Sequence, residues 1–200
     1  MRENHPEIFP IPPEQRPRVF WIGCADSRVP ESVILNQLPG QIFTHRNIAN
    51  QVQLTDASIV SAIHFAVRTL GVQHIIVAGH TACGGVGVCM PRDTPDKAEC
   101  RDGQPFDAEK VRNDPWVTIQ HWPPPSPLNT WLQPLRDLAE TMDPPPASVN
   151  ELAEANVRQQ VLLVREVLKA GGGSFKVEVH GWIYDVKNGH VEDIGCSVVV

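Results

Sequence analysis

The chain has 200 residues, 42% of them apolar, and a formal net charge of −6. That is enough apolar material for one domain with its own core, whereas the negative balance and the lack of any basic stripe argue against a nucleic-acid partner. No apolar run approaches bilayer length, which argues against a membrane partner, the N-terminus lacks the regions of a secretory leader, and five cysteines without framework spacing fit reduced thiols better than disulfides.

Residues 1–17 carry Pro6, Pro10, Pro12, Pro13 and Pro17 and no periodic pattern, so they read as an extended arm, free to drape over a neighbouring subunit. Val19 to Ile22 is a short apolar run that reads as a buried strand, with Gly23 letting the backbone turn where it leaves the sheet. Pro30 and Glu31 open a short helix to Ile34, and Pro39-Gly40 makes a turn. Gln41 to Thr44 is a brief second strand leading into His45-Arg46-Asn47-Ile48-Ala49-Asn50. Thr55-Asp56 caps a helix whose apolar face is Ile59, Ile63, Ala66, Val67 and Leu70, closed by Gly71. His74 to Gly79 is a third strand, ending in His80-Thr81-Ala82-Cys83-Gly84-Gly85.

From about 90 to 127 the chain is polar and proline-dotted, a solvated insertion or, alternatively, a lid or assembly arm. Helical spacing resumes over Trp131 to Leu138, and Ser148 to Lys169 is a long amphipathic helix ended by Gly171-Gly172-Gly173. Phe175 to Tyr184 is a fourth strand, and Asn188-Gly189 signals a hairpin that returns Val191 to about Val198 antiparallel at the sheet edge. The expected fold is α/β over residues 1–200, one domain with a four-stranded, mostly parallel sheet, helices on both faces and an antiparallel edge strand.

Ligands of such sheets bind outside the carboxyl ends of the strands. Cys24 and His80 stand at two of those ends, and Cys83 follows His80 by three residues. A lone His or Cys is more often structural. Three such donors beside glycines at strand ends suit zinc, and three protein ligands leave a fourth position open, as in catalytic sites. Cys24, Asp26 and Arg28 alternate, so an extended chain would send them out on one face. Arg28 can hold the Asp26 carboxylate bidentately. That carboxylate could accept a proton from zinc-bound water or itself take the fourth position. A thiol nucleophile fits poorly: three residues separate Cys24 from Arg28, where the cysteine-phosphatase loop needs five, and no Cys-x-x-Cys pair exists.

Cys24-x-Asp26-x-Arg28 followed by His80-x-x-Cys83-Gly84-Gly85 resembles the β-class carbonic anhydrases. Gln15-x-Pro17, His45 to Asn50, Thr130-Trp131-Leu132 and His180 to Asp185 resemble further blocks of that family. The resemblance runs from about 15 to 87 and again from about 128 to 195. It implies one zinc per chain on Cys24, His80 and Cys83, with Asp26 and Arg28 as the catalytic dyad. It implies that Gln15 lies near the substrate, commonly across a dimer interface, with Gly84 also at the substrate site. Assembly into a homodimer or tetramer is implied as well. In one subgroup a Trp, an Arg and a Tyr, with a Gly before the first zinc Cys, hold a regulatory bicarbonate; Trp21, Gly23, Arg46 and Tyr184 match, and Asp26 would be a conditional fourth ligand of a closed state.

The activity so implied is reversible hydration of CO2 to bicarbonate and a proton by zinc-hydroxide attack, aided by the dyad. The alternatives are hydrolysis of a CO2 analogue such as carbon disulfide on the same scaffold, or a non-catalytic bicarbonate-binding zinc protein. Cys89, Cys100 and Cys196 read as free thiols. The expected location is the cytoplasm, with the mitochondrion open if the chain continues ahead of Met1.

Overall fold

In the computed structural model the described residues are 6–9, 11, 13–91, 126–173 and 176–200. The insertion expected over 90–127 lies almost wholly outside them, as do Cys100 and Phe175. The unbroken apolar run at Val19 forms β1 (Val19–Cys24), buried from its second residue onward. Only a strand covered on both faces tolerates such a run. β1 lies between β2 (Ile42–Asn47) and β3 (His74–His80), parallel to both. β4 (Glu178–Tyr184) continues the parallel sheet beyond β3.

The four parallel strands and the antiparallel edge agree with the sequence reading. The edge is split into β5 (Val191–Asp193) and β6 (Val198–Val199), both paired with β4, so the sheet counts six strands. The break has a local cause. Gly195 takes φ 67° and its N–H is bound by Asp193 Oδ1 at 2.8 Å, which throws the chain out of register. β2 also runs three residues further than expected, because His45, Arg46 and Asn47 pair with Ile22, Gly23 and Cys24 of β1.

The described α-helices are α1 (Glu31–Ile34), α2 (Ala57–Phe65), α3 (Gly84–Gly87), α4 (Pro127–Thr141) and α5 (Val149–Gly171). The chain divides into two compact units, residues 1–81 with 153–200, and residues 82–152. In the first, Asp56 caps α2 by accepting from Ser58 N at 2.9 Å, and Gly71 at φ 67° closes the π-helical turn that follows. Ile59, Ile63 and Ala66 are fully buried, and Phe65 packs at a tilt against Phe43, as Phe43 does against Phe20. The same face of the sheet receives α5 at Gly79, where a Cβ would meet Val157 at 2.7 Å. On the opposite face Trp21, Ile76 and Ala78 form a buried cluster, with Leu35 at the end of α1 packed against it.

In the second unit Ser126 caps α4 by accepting from Asn129 N at 3.1 Å, with Pro127 at the first turn. Leu132, Leu135 and Ala139 form its buried stripe. None of the described helices is long and apolar enough to cross a membrane.

A buried amide network holds the segment after β2. Ala49 and Asn50 adopt left-handed backbone at φ 60° and 45°, which costs on the order of 1 kcal/mol each for residues with a Cβ. Asn156 donates to Ala49 O at 3.0 Å and accepts from Gln51 Nε2 at 2.7 Å and Gln160 Nε2 at 2.9 Å. Gln160 Oε1 accepts from Val52 N at 2.7 Å. The helix α5 thereby satisfies backbone groups that a left-handed loop cannot pair for itself.

Candidate metal centre

Cys24 is the last residue of β1 and His80 the last of the adjacent β3. Three residues on, Cys83 occupies the N-cap position of α3. Ala82 makes that reach by taking φ 52°, its N–H bound by Asn150 Oδ1 at 3.1 Å. One donor atom from each of Cys24, His80 and Cys83 lies within 4.8 Å of the others. The three residues are only 6%, 1% and 2% exposed, so their polar atoms are effectively out of water.

His80 Nδ1 lies 3.0 Å from Thr81 O. Donation to that carbonyl places the proton on Nδ1 and leaves the lone pair on Nε2. Nε2 is buried and has no hydrogen-bond partner. An orphaned imidazole nitrogen beside two buried sulfurs is a costly arrangement unless a cation completes it, and the donor set suits zinc. Thr81 is itself fixed by β4: its N–H donates to Tyr184 O at 2.9 Å and its hydroxyl to Asp185 Oδ1 at 3.1 Å. The Tyr184-Asp185 end of β4 therefore orients the histidine through Thr81.

The strand ends at Cys24, so Asp26 and Arg28 are not brought together by extended alternation as expected. Val29 N donates to Asp26 O at 3.2 Å and Arg28 N to Asp26 Oδ1 at 2.9 Å, which closes a turn. Within that turn Arg28 clasps the carboxylate in a fork, Nη2 to Oδ2 at 2.7 Å and Nε to Oδ1 at 3.0 Å. The hydrogen bond from Arg28 lowers the Asp26 carboxyl from 3.8 to about 2, so it is ionised at neutral pH. Its Oδ2 stands 3.8 Å from the orphaned Nε2 of His80.

The carbonic anhydrase family profile matches residues 19–104. A carbonic anhydrase of Emericella nidulans is 32% identical over 94% of this chain and 75% of its own length. The β-carbonic anhydrase CafA of Aspergillus fumigatus superposes with a TM-score of 0.71 at 33% identity, over 98% of this chain and 84% of that one. One of two tetrameric β-carbonic anhydrases of Sordaria macrospora gives a TM-score of 0.65 at 31% identity, over 98% and 89%. The chain belongs to the β-class carbonic anhydrases.

As a carbonic anhydrase the enzyme is a lyase. Its remaining expected site residues are less closely gathered. Trp21 is buried with its indole Nε1 unpartnered, and it lies so close to Gly23 that a Cβ there would collide with the ring. Arg46 is the neighbour of Gly23 in the sheet. Tyr184 ends β4 beside His80, two strands away from β1. Gln15 is exposed in the lead-in, and Gly84 opens α3.

The sequence reading missed a structural duty of Arg46. Its Nε donates to Cys24 O at 2.9 Å and its Nη2 to Asp26 O at 2.5 Å, so it braces the turn that carries Cys24, Asp26 and Arg28. Ala25 N donates to Asn47 O at 2.8 Å from the same strand. Glu31 stands 3.9 Å from Arg46 and accepts from Thr44 Oγ1 at 3.2 Å. The brace follows from the register of β2 beside β1, which sets Arg46 opposite Gly23. Cys89, buried with its thiol pushed up to about 11, is an inert core thiol, and burial also raises Cys196.

Proposed function

We propose that the enzyme hydrates CO2 reversibly to bicarbonate and a proton, at a zinc ion held by Cys24, His80 and Cys83. The observation that carries this reading is the orphaned His80 Nε2 within a buried set of two sulfurs, 3.8 Å from an ionised carboxylate. A zinc ion in that position supplies a Lewis acid that makes water nucleophilic near neutral pH.

The protein's own contribution follows from its geometry. Thr81 O keeps the His80 proton on Nδ1, so Nε2 serves as the donor. Arg28 keeps Asp26 ionised and pointed, and at about 2 that carboxylate accepts a hydrogen bond from reacting water rather than taking the proton. In this reading Asp26 aligns the nucleophile, while Gln15 and Gly84 contact CO2. Released from Arg28, the same carboxylate lies near enough to act as a fourth donor and close the site.

The regulatory reading rests on Trp21, whose buried N–H lacks an acceptor. Bicarbonate held by Trp21, Arg46 and Tyr184, with Gly23 giving room, would tug on Arg46. Arg46 grips the carbonyls of Cys24 and Asp26, so its displacement reaches the dyad. The tetrameric Sordaria macrospora relatives support self-association into a dimer or tetramer.

Stopped-flow CO2 hydration on metal-analysed protein tests the activity, with carbon disulfide assayed beside it. The expected result is CO2 turnover that Cys24→Ser abolishes together with the metal, and that Asp26→Asn reduces while keeping the metal. Equal turnover by Asp26→Asn would remove the dyad role, and turnover of carbon disulfide alone would replace the substrate. Arg46→Ala should blunt inhibition by added bicarbonate; an identical inhibition curve would end the regulatory reading.

A further inference from the structure

A second cluster of metal-ligating side chains lies at the other end of the sheet. His74 is the first residue of β3 and pairs with Glu178, the first of β4, while His180 is two residues along β4 and so on the same face. Strand β3 separates this cluster from His80 by six residues, about 20 Å of chain. Donor atoms of the three lie within 4.8 Å of one another.

The geometry is that of a chelate. His74 Nδ1 and His180 Nε2 stand 3.1 Å apart, and Glu178 Oε2 is 3.7 Å from each. Two metal–nitrogen bonds of about 2.0–2.1 Å separate their nitrogens by about 2.9 Å at a right angle and about 3.3 Å at the tetrahedral angle. The observed spacing falls between those limits. Glu178 needs to close by about 0.4 Å to match, which a partly exposed carboxylate reaches by rotating its last torsion.

A further contact orients the set. His180 Nδ1 lies 3.0 Å from the Ser197 hydroxyl, just before β6. With that hydroxyl accepting from Nδ1–H, Nε2 turns its lone pair toward His74 and Glu178. The side chains are 38%, 44% and 17% exposed for His74, Glu178 and His180, so an ion has a path in from solvent.

We infer that His74, Glu178 and His180 form a second site, for a divalent transition-metal cation of the zinc class, separate from the cysteine–histidine centre. Two imidazoles and one carboxylate without thiolate favour such ions over magnesium or calcium. On binding, His74 carries its proton on Nε2, and the ion replaces the hydrogen bond now linking the two rings. The site ties the starts of β3 and β4 to each other, and through Ser197 to the edge. It goes beyond the proposed CO2 chemistry and does not depend on it.

The test is equilibrium dialysis of the enzyme, carrying its resident metal, against buffered zinc, with metal per chain counted by mass spectrometry. The wild type should take up one further equivalent, and added zinc should raise its Tm. His74→Gln should lose both effects with CO2 turnover unchanged, and Ser197→Ala should bind about tenfold more weakly. Glu178→Gln, at a more exposed position, reads the same site should His74→Gln fail to fold. No second equivalent in the wild type, or the same uptake after the loss of His74 or of Glu178, overturns the inference.

Discussion

Replacing Asn156 by Ala tests how α5 supports the left-handed loop after β2. Asn156 is fully buried and takes part in three hydrogen bonds, with Ala49 O, Gln51 Nε2 and Gln160 Nε2. Removing it leaves Gln51 Nε2 and Ala49 O bonded to each other at 2.9 Å. Gln160 Nε2, in a side chain only 2% exposed, loses its partner. Two lost bonds at about 1 kcal/mol each, plus about 1–3 kcal/mol for a buried orphan donor, give a destabilisation of about 3–5 kcal/mol. Urea unfolding with unchanged m-value measures it. Hydrogen exchange should quicken first at the amides of Gln51 and Val52, because their acceptors, Asn47 Oδ1 and Gln160 Oε1, belong to the same network. A loss below about 1 kcal/mol, or exchange that quickens evenly over the whole sheet, would refute the idea that α5 holds this loop in its left-handed shape.

Gly23→Ala should destabilise by about 1–3 kcal/mol, since its Cβ meets a Trp21 ring that is buried and cannot withdraw, and the change should appear in Tm and in tryptophan emission. Arg28→Gln should return the Asp26 carboxyl from about 2 toward 3.8, read by carbon-13 titration of the side chain. Because the folded value is depressed, the stabilisation from this pair is complete above the unfolded value near 4 and is lost as pH falls toward 2, so the variant should lose less stability over that window. Cys89 should resist iodoacetamide in the native enzyme at pH 8 and react in urea, since its thiol is buried and raised to about 11; native labelling at that position would contradict its burial.

The gathering of Cys24, His80 and Cys83 was legible because strand ends announce themselves: an apolar run, then glycine, then side chains that make poor core. The helical stretch from α2 on was legible from Asp56, which caps α2, and from Gly71, which closes the π-helical turn after it. Asn156 and Gln160 were not, since an amphipathic pattern assigns polar positions to solvent. Here those amides face inward to pair with strained loop backbone. Periodicity has no way to register a backbone group that needs a partner. The Asp26–Arg28 pair was found for the wrong local reason, because a two-residue spacing fits a turn as well as a strand. Arg46 as a brace for carbonyl groups, and the broken edge at Gly195, depend on register and on a left-handed glycine, which a linear reading does not fix.

The most direct measurement is X-ray absorption at the zinc edge, on enzyme carrying one zinc per chain. The expected spectrum has two sulfurs at about 2.3 Å and nitrogen or oxygen neighbours at about 2.0–2.2 Å, with the sulfur signal halved in any zinc retained by Cys83→Ser. A shell of nitrogen and oxygen alone, or the same two sulfurs in Cys83→Ser, would contradict a centre built from Cys24, His80 and Cys83.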